Sequence, residues 1–173
     1  PWPAGADDCE DAVLALLERG AKRIAIGGES AGAQLSVVTL LRLRDRHGID
    51  VRATFSGANL VFGAFDLSGS PSRLRWGERE LVLSSPTMEW YAQNLMPGSG
   101  VAEQRNPDVS PLYADLRELP RALFTVGTND PLLDDTLFMA ARWKAAGNES
   151  ELSVWAEAVH GFTQMNKDHL LPA

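Results

Sequence analysis

Cysteine is nearly missing: Cys9 stands alone among 173 residues, which excludes an internal disulfide. Acidic Asp7, Asp8, Glu10 and Asp11 crowd around it, a setting that argues against a nucleophilic thiol. Positive charge is also scarce. Sixteen lysines and arginines face twenty-three acidic residues, leaving a net charge of −7 with no basic patch to offset it. That balance excludes nucleic acid and anionic membrane surfaces as partners. No apolar run approaches the ~20 residues that a membrane span requires. The three histidines, at 47, 160 and 169, lack cysteine or carboxylate companions at ligand spacing, so no metal is expected; the chemistry read below implies no organic cofactor either. Internal repeats and low-complexity tracts are absent as well, no secretory leader is expected, and the expected location is cytoplasmic.

What remains is a globular composition, 45% hydrophobic, at a length that supports one domain with a sizeable core. A helix is predicted from Asp7 or Asp8 to about Arg19, with Val13, Leu14, Leu16 and Leu17 as its apolar stripe and Gly20 as its stop. A strand follows at Ile24–Gly28, then a helix to about Arg46 closed by His47 and Gly48, then a second strand at Val51–Phe55. Residues from about 67 to 106 break this rhythm, being rich in serine, proline and glycine. They hold at most short helices near Arg79–Leu83 and Thr87–Met96. An insertion of this length between strands reads as a cap over a site. Trp76, Trp90 and Tyr91 within it either wall an acyl pocket or pack among themselves. The pattern then resumes with a strand at Ala122–Gly127, a helix at Asp134–Ala146 and a strand at Leu152–Trp155. Repeated strand–helix alternation predicts a mostly parallel α/β sheet.

The centre of this arrangement is Ile24–Ala33, IAIGGESAGA. Strand, sharp turn and helix with Ser30 at the apex is the context that a nucleophile elbow requires. Gly28 and Gly32, two residues to either side of Ser30, remove Cβ atoms where the chain doubles back. The N–H of Ala31 opens the following helix, where unpaired amides and the helix dipole favour an oxyanion.

A serine hydroxyl needs a base, and the base needs an orienting acid. His47 lies at the far end of the helix, roughly 25 Å away at a ~1.5 Å rise per residue, and is out of reach. His169 sits in a polar tail. His160 follows a strand at the carboxyl edge of the sheet, where open α/β sheets place their chemistry. For the acid, Asp130 directly follows the strand Ala122–Gly127, and Pro131 stiffens its turn. Asp134 is the alternative, although helix capping accounts for it and for Asp135. The order Ser–Asp–His is the α/β-hydrolase order.

GESAGA at 28–33, DPLLD at 130–134 and HGF at 160–162 resemble the bacterial hormone-sensitive-lipase-like carboxylesterases of the α/β-hydrolase superfamily. NPDVSPLYADLRELPRALFTVGTNDPLLDD at 106–135 is similar to that family's approach to its acid. The resemblance implies an α/β-hydrolase fold with helices on both faces of a mostly parallel sheet. It implies one catalytic domain over 1–173 with the cap insertion at 67–106. It also implies hydrolysis of short-chain acyl esters, with Ser30 as nucleophile, Asp130 as acid and His160 as base. A receptor-like member of the same fold and a catalytically incompetent fragment are the alternatives. Glu29 and Ala33 stand where the family often has aspartate and glycine; Glu29 either braces the elbow or is simply solvated.

The family's His-Gly-Gly-Gly stretch, whose amides complete the oxyanion hole, has no counterpart here. Each lost donor costs roughly 2.7–4 kcal/mol of transition-state stabilisation, so the Ala31 amide alone predicts a weak catalyst. The chain is thus expected to correspond to the family's C-terminal half, without its early strands. The strand Ile24–Gly28 is then an apolar edge, expected to pair with a missing N-terminal segment or with a second copy.

Overall fold

The computed structural model describes residues 1–165. Helix α1 (Ala4–Glu18) leads to strand β1 (Ile24–Glu29), helix α2 (Ala31–His47), a single turn α3 (Val51–Thr54) and strand β2 (Phe55–Val61). The insertion carries α4 (Pro71–Trp76), α5 (Ser85–Leu95) and α6 (Val101–Gln104). Strand β3 (Ala122–Asn129), helix α7 (Leu133–Ala145) and strand β4 (Ser150–Val159) follow, with single 3-10 turns at Pro111–Tyr113 and Phe162–Gln164. All strand pairs are parallel, in the order β1-β2-β3-β4.

Several boundaries differ from the sequence expectation, each for a local reason. The strand expected at Val51–Phe55 begins only at Phe55, because the Asp50 carboxylate accepts the Ala53 N–H at 3.0 Å and winds 51–54 into a helical turn. The first helix begins at Ala4, where the Pro3 carbonyl takes the Ala6 and Asp7 amides at 2.9 and 3.0 Å without any side-chain cap. Arg79–Leu83 is not helical. The Trp76 indole N–H bonds the carbonyls of Arg79 and Leu83 at 2.8 and 3.0 Å, and Leu81 and Leu83 form a one-pair reversal around Val82. α5 falls close to the expected Thr87–Met96. β4 is longer than Leu152–Trp155, running to Val159.

The core lies between one sheet face (Ile24, Ile26, Ala58, Leu60, Ala122, Phe124) and helices α2 and α7, with Leu40, Leu43 and Trp143 fully buried among them. Helices were expected on both faces, yet α2 and α7 share this one. Strands added always in the same direction by crossovers of one hand keep their helices on one side; covering the other side needs strands laid down in the opposite direction. Leu123, on the opposite face, is 40% exposed. β1 is an edge strand among the described residues, with β2 as its neighbour. No described helix is long and apolar enough to cross a membrane.

One buried group makes the fold sensitive to pH. Asp135 is fully buried on α7, where its Oδ1 accepts the N–H groups of Phe65 and Asp66, both at 2.8 Å, while Oδ2 has no partner. Burial is the main cause pushing its carboxyl up to about 7, and the hydrogen bond from the Asp66 amide opposes it. The folded chain therefore holds a proton that the unfolded chain releases near pH ~4, and that contribution to stability is lost as pH rises through about 7. Asp135→Asn keeps the acceptor and removes the titration. Urea unfolding is expected to show the variant more stable than the parent at pH 8, with the difference vanishing by pH 4.

Candidate functional site

Strand β1 carries the chain outward and α2 carries it back, so Ser30 occupies the apex between them with φ 56° and ψ −117°. That is a strained conformation for a residue with a Cβ, held here by hydrogen bonds on both sides. The Ser30 N–H bonds the Val61 carbonyl at 2.9 Å, and the Ser30 carbonyl accepts from Ala33 at 3.1 Å and from Ala64 at 3.4 Å. A Cβ on Gly28 would collide with the backbone of Gly32, so the doubling back depends on that glycine. At Gly32 the expected crowding is not present: a Cβ there meets nothing within 4 Å. Ala31 is the first residue of α2, and its N–H has no acceptor within the helix.

His160 is delivered by an irregularity in β4. A Cβ on Gly127 would strike the carbonyl of Ala158, so this glycine lets the end of β4 cross close over β3. The register shifts there, with Glu157 at φ 60°. Thr128 Oγ1 accepts the Glu157 N–H at 2.7 Å, and Asn129 Nδ2 donates to its carbonyl at 3.2 Å. Beyond this bulge His160 turns inward, 6% exposed. Its Nε2 lies 3.0 Å from Ser30 Oγ and its Nδ1 lies 2.9 Å from Asp130 Oδ2. Asp130 is itself 1% exposed, and its Oδ1 accepts the Leu132 N–H at 2.8 Å. Three residues separated by up to 130 positions thus form one continuous hydrogen-bonded line. Chemically, such a line removes a proton from a hydroxyl and returns it to a leaving group.

The other sequence candidates fall elsewhere. Asp134 Oδ2 accepts the Ser72 N–H at 2.7 Å, while Ser72 Oγ donates to the Pro131 carbonyl and accepts the Asp134 N–H. Asp134 therefore ties α4 of the insertion to the Asp130 turn and does not reach His160. His47 is bonded to Glu10 Oε1 at 2.7 Å. His169 lies outside the described residues. Trp90 and Tyr91 are more than half exposed and pack edge-on against each other at 5.2 Å. The rings found beside the site are instead Phe62, 4.7 Å from the His160 ring between centroids, and Phe162, 6.0 Å from Phe62. Sequence reasoning misses both phenylalanines. Phe62 closes β2 at φ 36°, a backbone state that no sequence pattern announces, whereas Phe162 is two residues past the histidine and its proximity is a usable signal. Among the described residues no group of three histidine, cysteine or carboxylate side chains is placed to hold a metal ion.

Comparison with known proteins places these features in company. Residues 1–164 match the family model described as alpha/beta hydrolase fold. An acetyl-hydrolase of Streptomyces hygroscopicus is 31% identical, over 92% of this chain and 52% of its own. The carboxylesterase NlhH of Mycobacterium tuberculosis is 30% identical, over 94% and 52% respectively. Among solved structures, a hormone-sensitive lipase from a metagenome library superposes with a TM-score of 0.83 at 33% identity, covering 94% of this chain and 53% of that one. The chain spans about half the length of the curated relatives named here.

Proposed function

This chain belongs to the alpha/beta hydrolase family, among its hormone-sensitive-lipase-like esterases, and on that footing we propose that it carries the nucleophile, base and acid of a serine carboxylesterase for short-chain acyl esters. One observation carries the reading: the unbroken Ser30–His160–Asp130 line, with separations of 3.0 and 2.9 Å. His160 Nε2 takes the Ser30 proton as Oγ attacks the ester carbonyl. The Ala31 N–H donates to the oxyanion, and His160 then protonates the leaving alcohol. Water repeats the sequence and releases the acid. Asp130 holds His160 in the tautomer that leaves Nε2 free to accept. Residues 1–173 form one domain in this reading, the insertion at 67–106 is its cap, and the β1 edge pairs with an upstream segment or a second copy.

A fluorophosphonate probe tests this directly, because it phosphonylates, with loss of fluoride, only a serine that a base has activated. The expected result by intact mass is one adduct on the parent chain, none on Ser30→Ala, and strongly slowed labelling of His160→Ala. A folded parent chain that takes no adduct overturns the proposal for this chain. A receptor-like member of the fold would then bind a short acyl ester without consuming it.

A further inference from the structure

Glu29 is the last residue of β1 and immediately precedes Ser30, and both oxygens of its carboxylate are engaged by the segment just beyond His160. Oε1 accepts from Thr163 Oγ1 at 2.7 Å, and Oε2 accepts from Gln164 Nε2. Thr163 and Gln164 are exposed, so packing does not hold them; Phe162, 8% exposed, is the buried side chain of their short helical turn. On the near side His160 is fixed by Asp130 and by the β4 bulge. On the far side the turn hangs on Phe162 and on the Glu29 carboxylate. The anchor is rigid, because Glu29 is paired with Val61 within the sheet. A carboxylate also suits this role, because two donors converge on it and it offers acceptors only.

We propose that Glu29 is a positioning residue that clamps the His160 turn to the nucleophile elbow and so sets the Ser30–His160 separation. The inference rests on the esterase reading for its consequence, since the separation of nucleophile and base governs acylation; a displacement of about 1 Å costs on the order of a hundred-fold in rate. The clamp itself is a matter of structure and can be measured apart from any reaction. Glutamine at this position retains it: its amide oxygen accepts from Thr163, its amide N–H₂ donates, and a rotation of the Gln164 amide presents an oxygen to it. Alanine removes both contacts.

The test compares the parent, Glu29→Ala, Glu29→Gln and a Thr163→Val/Gln164→Leu double variant by fluorophosphonate labelling rate, thermal melting and amide hydrogen exchange across 161–164. Glu29→Ala is expected to label between about ten- and a hundred-fold more slowly, with faster exchange at 161–164 and a melting shift of less than ~2 °C. Glu29→Gln is expected to recover most of the rate, with the pH profile of labelling unchanged. The double variant is expected to match Glu29→Ala and to add nothing when combined with it. Parent-like exchange at 161–164 in Glu29→Ala overturns the clamp, as does a parent-like labelling rate in an active protein. A Glu29→Gln rate as low as that of Glu29→Ala, with protected amides, also overturns it, because the charge and not the position would then be what matters. Should the parent take no label, the esterase reading falls alone, and exchange at 161–164 still decides for or against the clamp.

Discussion

Asp130→Asn is expected to slow acylation of Ser30 by about 10⁴-fold while leaving the fold in place. The size follows from which oxygen is already committed. Asp130 Oδ1 accepts the Leu132 N–H at 2.8 Å, and that backbone donor does not move. An asparagine must therefore place its own oxygen there and turn its N–H₂ toward His160 Nδ1, where Oδ2 now lies at 2.9 Å. A donor facing Nδ1 forces the imidazole proton onto Nε2. His160 then donates to Ser30 Oγ and no longer accepts from it, and the base is lost with every atom near its original place. Since one amide hydrogen bond is kept and another re-formed, the melting temperature should fall by only a few degrees. Hydrolysis of a short-chain nitrophenyl ester, measured beside a thermal melt, checks both halves. A loss of less than ten-fold with an intact fold would mean that Asp130 does not set the tautomer.

The elbow, α2 and β3 are legible in the sequence for a physical reason: each is specified by residues close in the chain. The IAIGGESAGA stretch contains its own strand, close-approach glycine and helix start, and Gly48 closes α2 in the left-handed conformation expected of a helix stop. β2 is harder to place because its residues, FSGANLV, mix serine, glycine and asparagine into a strand that is covered on both sides by neighbours. Its pairing with β1 and β3 overrides local preference, and pairing is not written locally. The same limit hides the Glu157 bulge, which needs Gly127 and Thr128 from another strand. Asp135 reads as a helix-capping acid because its burial is created by Phe65 and Asp66, some seventy positions upstream. The order of Ser30, Asp130 and His160 along the chain is sequence information. Their convergence to 3.0 and 2.9 Å belongs to the parallel register of β1 to β4.

Far from the site, Arg42→Met is expected to cost about 3 kcal/mol of stability. Arg42 lies on α2 with its side chain 2% exposed, in a stretch otherwise reading as the helix's apolar face. Its guanidinium meets Asp108 through Nε and Nη2, both at 2.6 Å, and through Nη1 reaches Asp7 at 2.8 Å and Glu10 at 3.1 Å. The Asp108 hydrogen bonds hold it charged well above its ordinary range, against the desolvation that opposes them. One cation thus joins three segments: α1 through Asp7 and Glu10, α2 itself, and the stretch that leaves the insertion at Asp108. Methionine fills much of the volume but leaves the carboxylates facing one another with one fewer counter-charge. Arg46 stays in place, 3.0 Å from Glu10 and 3.2 Å from Asp108, which is why the loss should fall at the low end for a broken buried pair. A double-mutant cycle separates charge from packing: if the penalty is the stranded Asp108, then Asp108→Asn in the Arg42→Met background should restore stability, although alone it lowers it. Urea midpoints for the four chains decide the matter. An additive result would place the cost in lost side-chain packing along α2, and the three-way ion cluster would no longer account for how the insertion's return is fixed to α1 and α2.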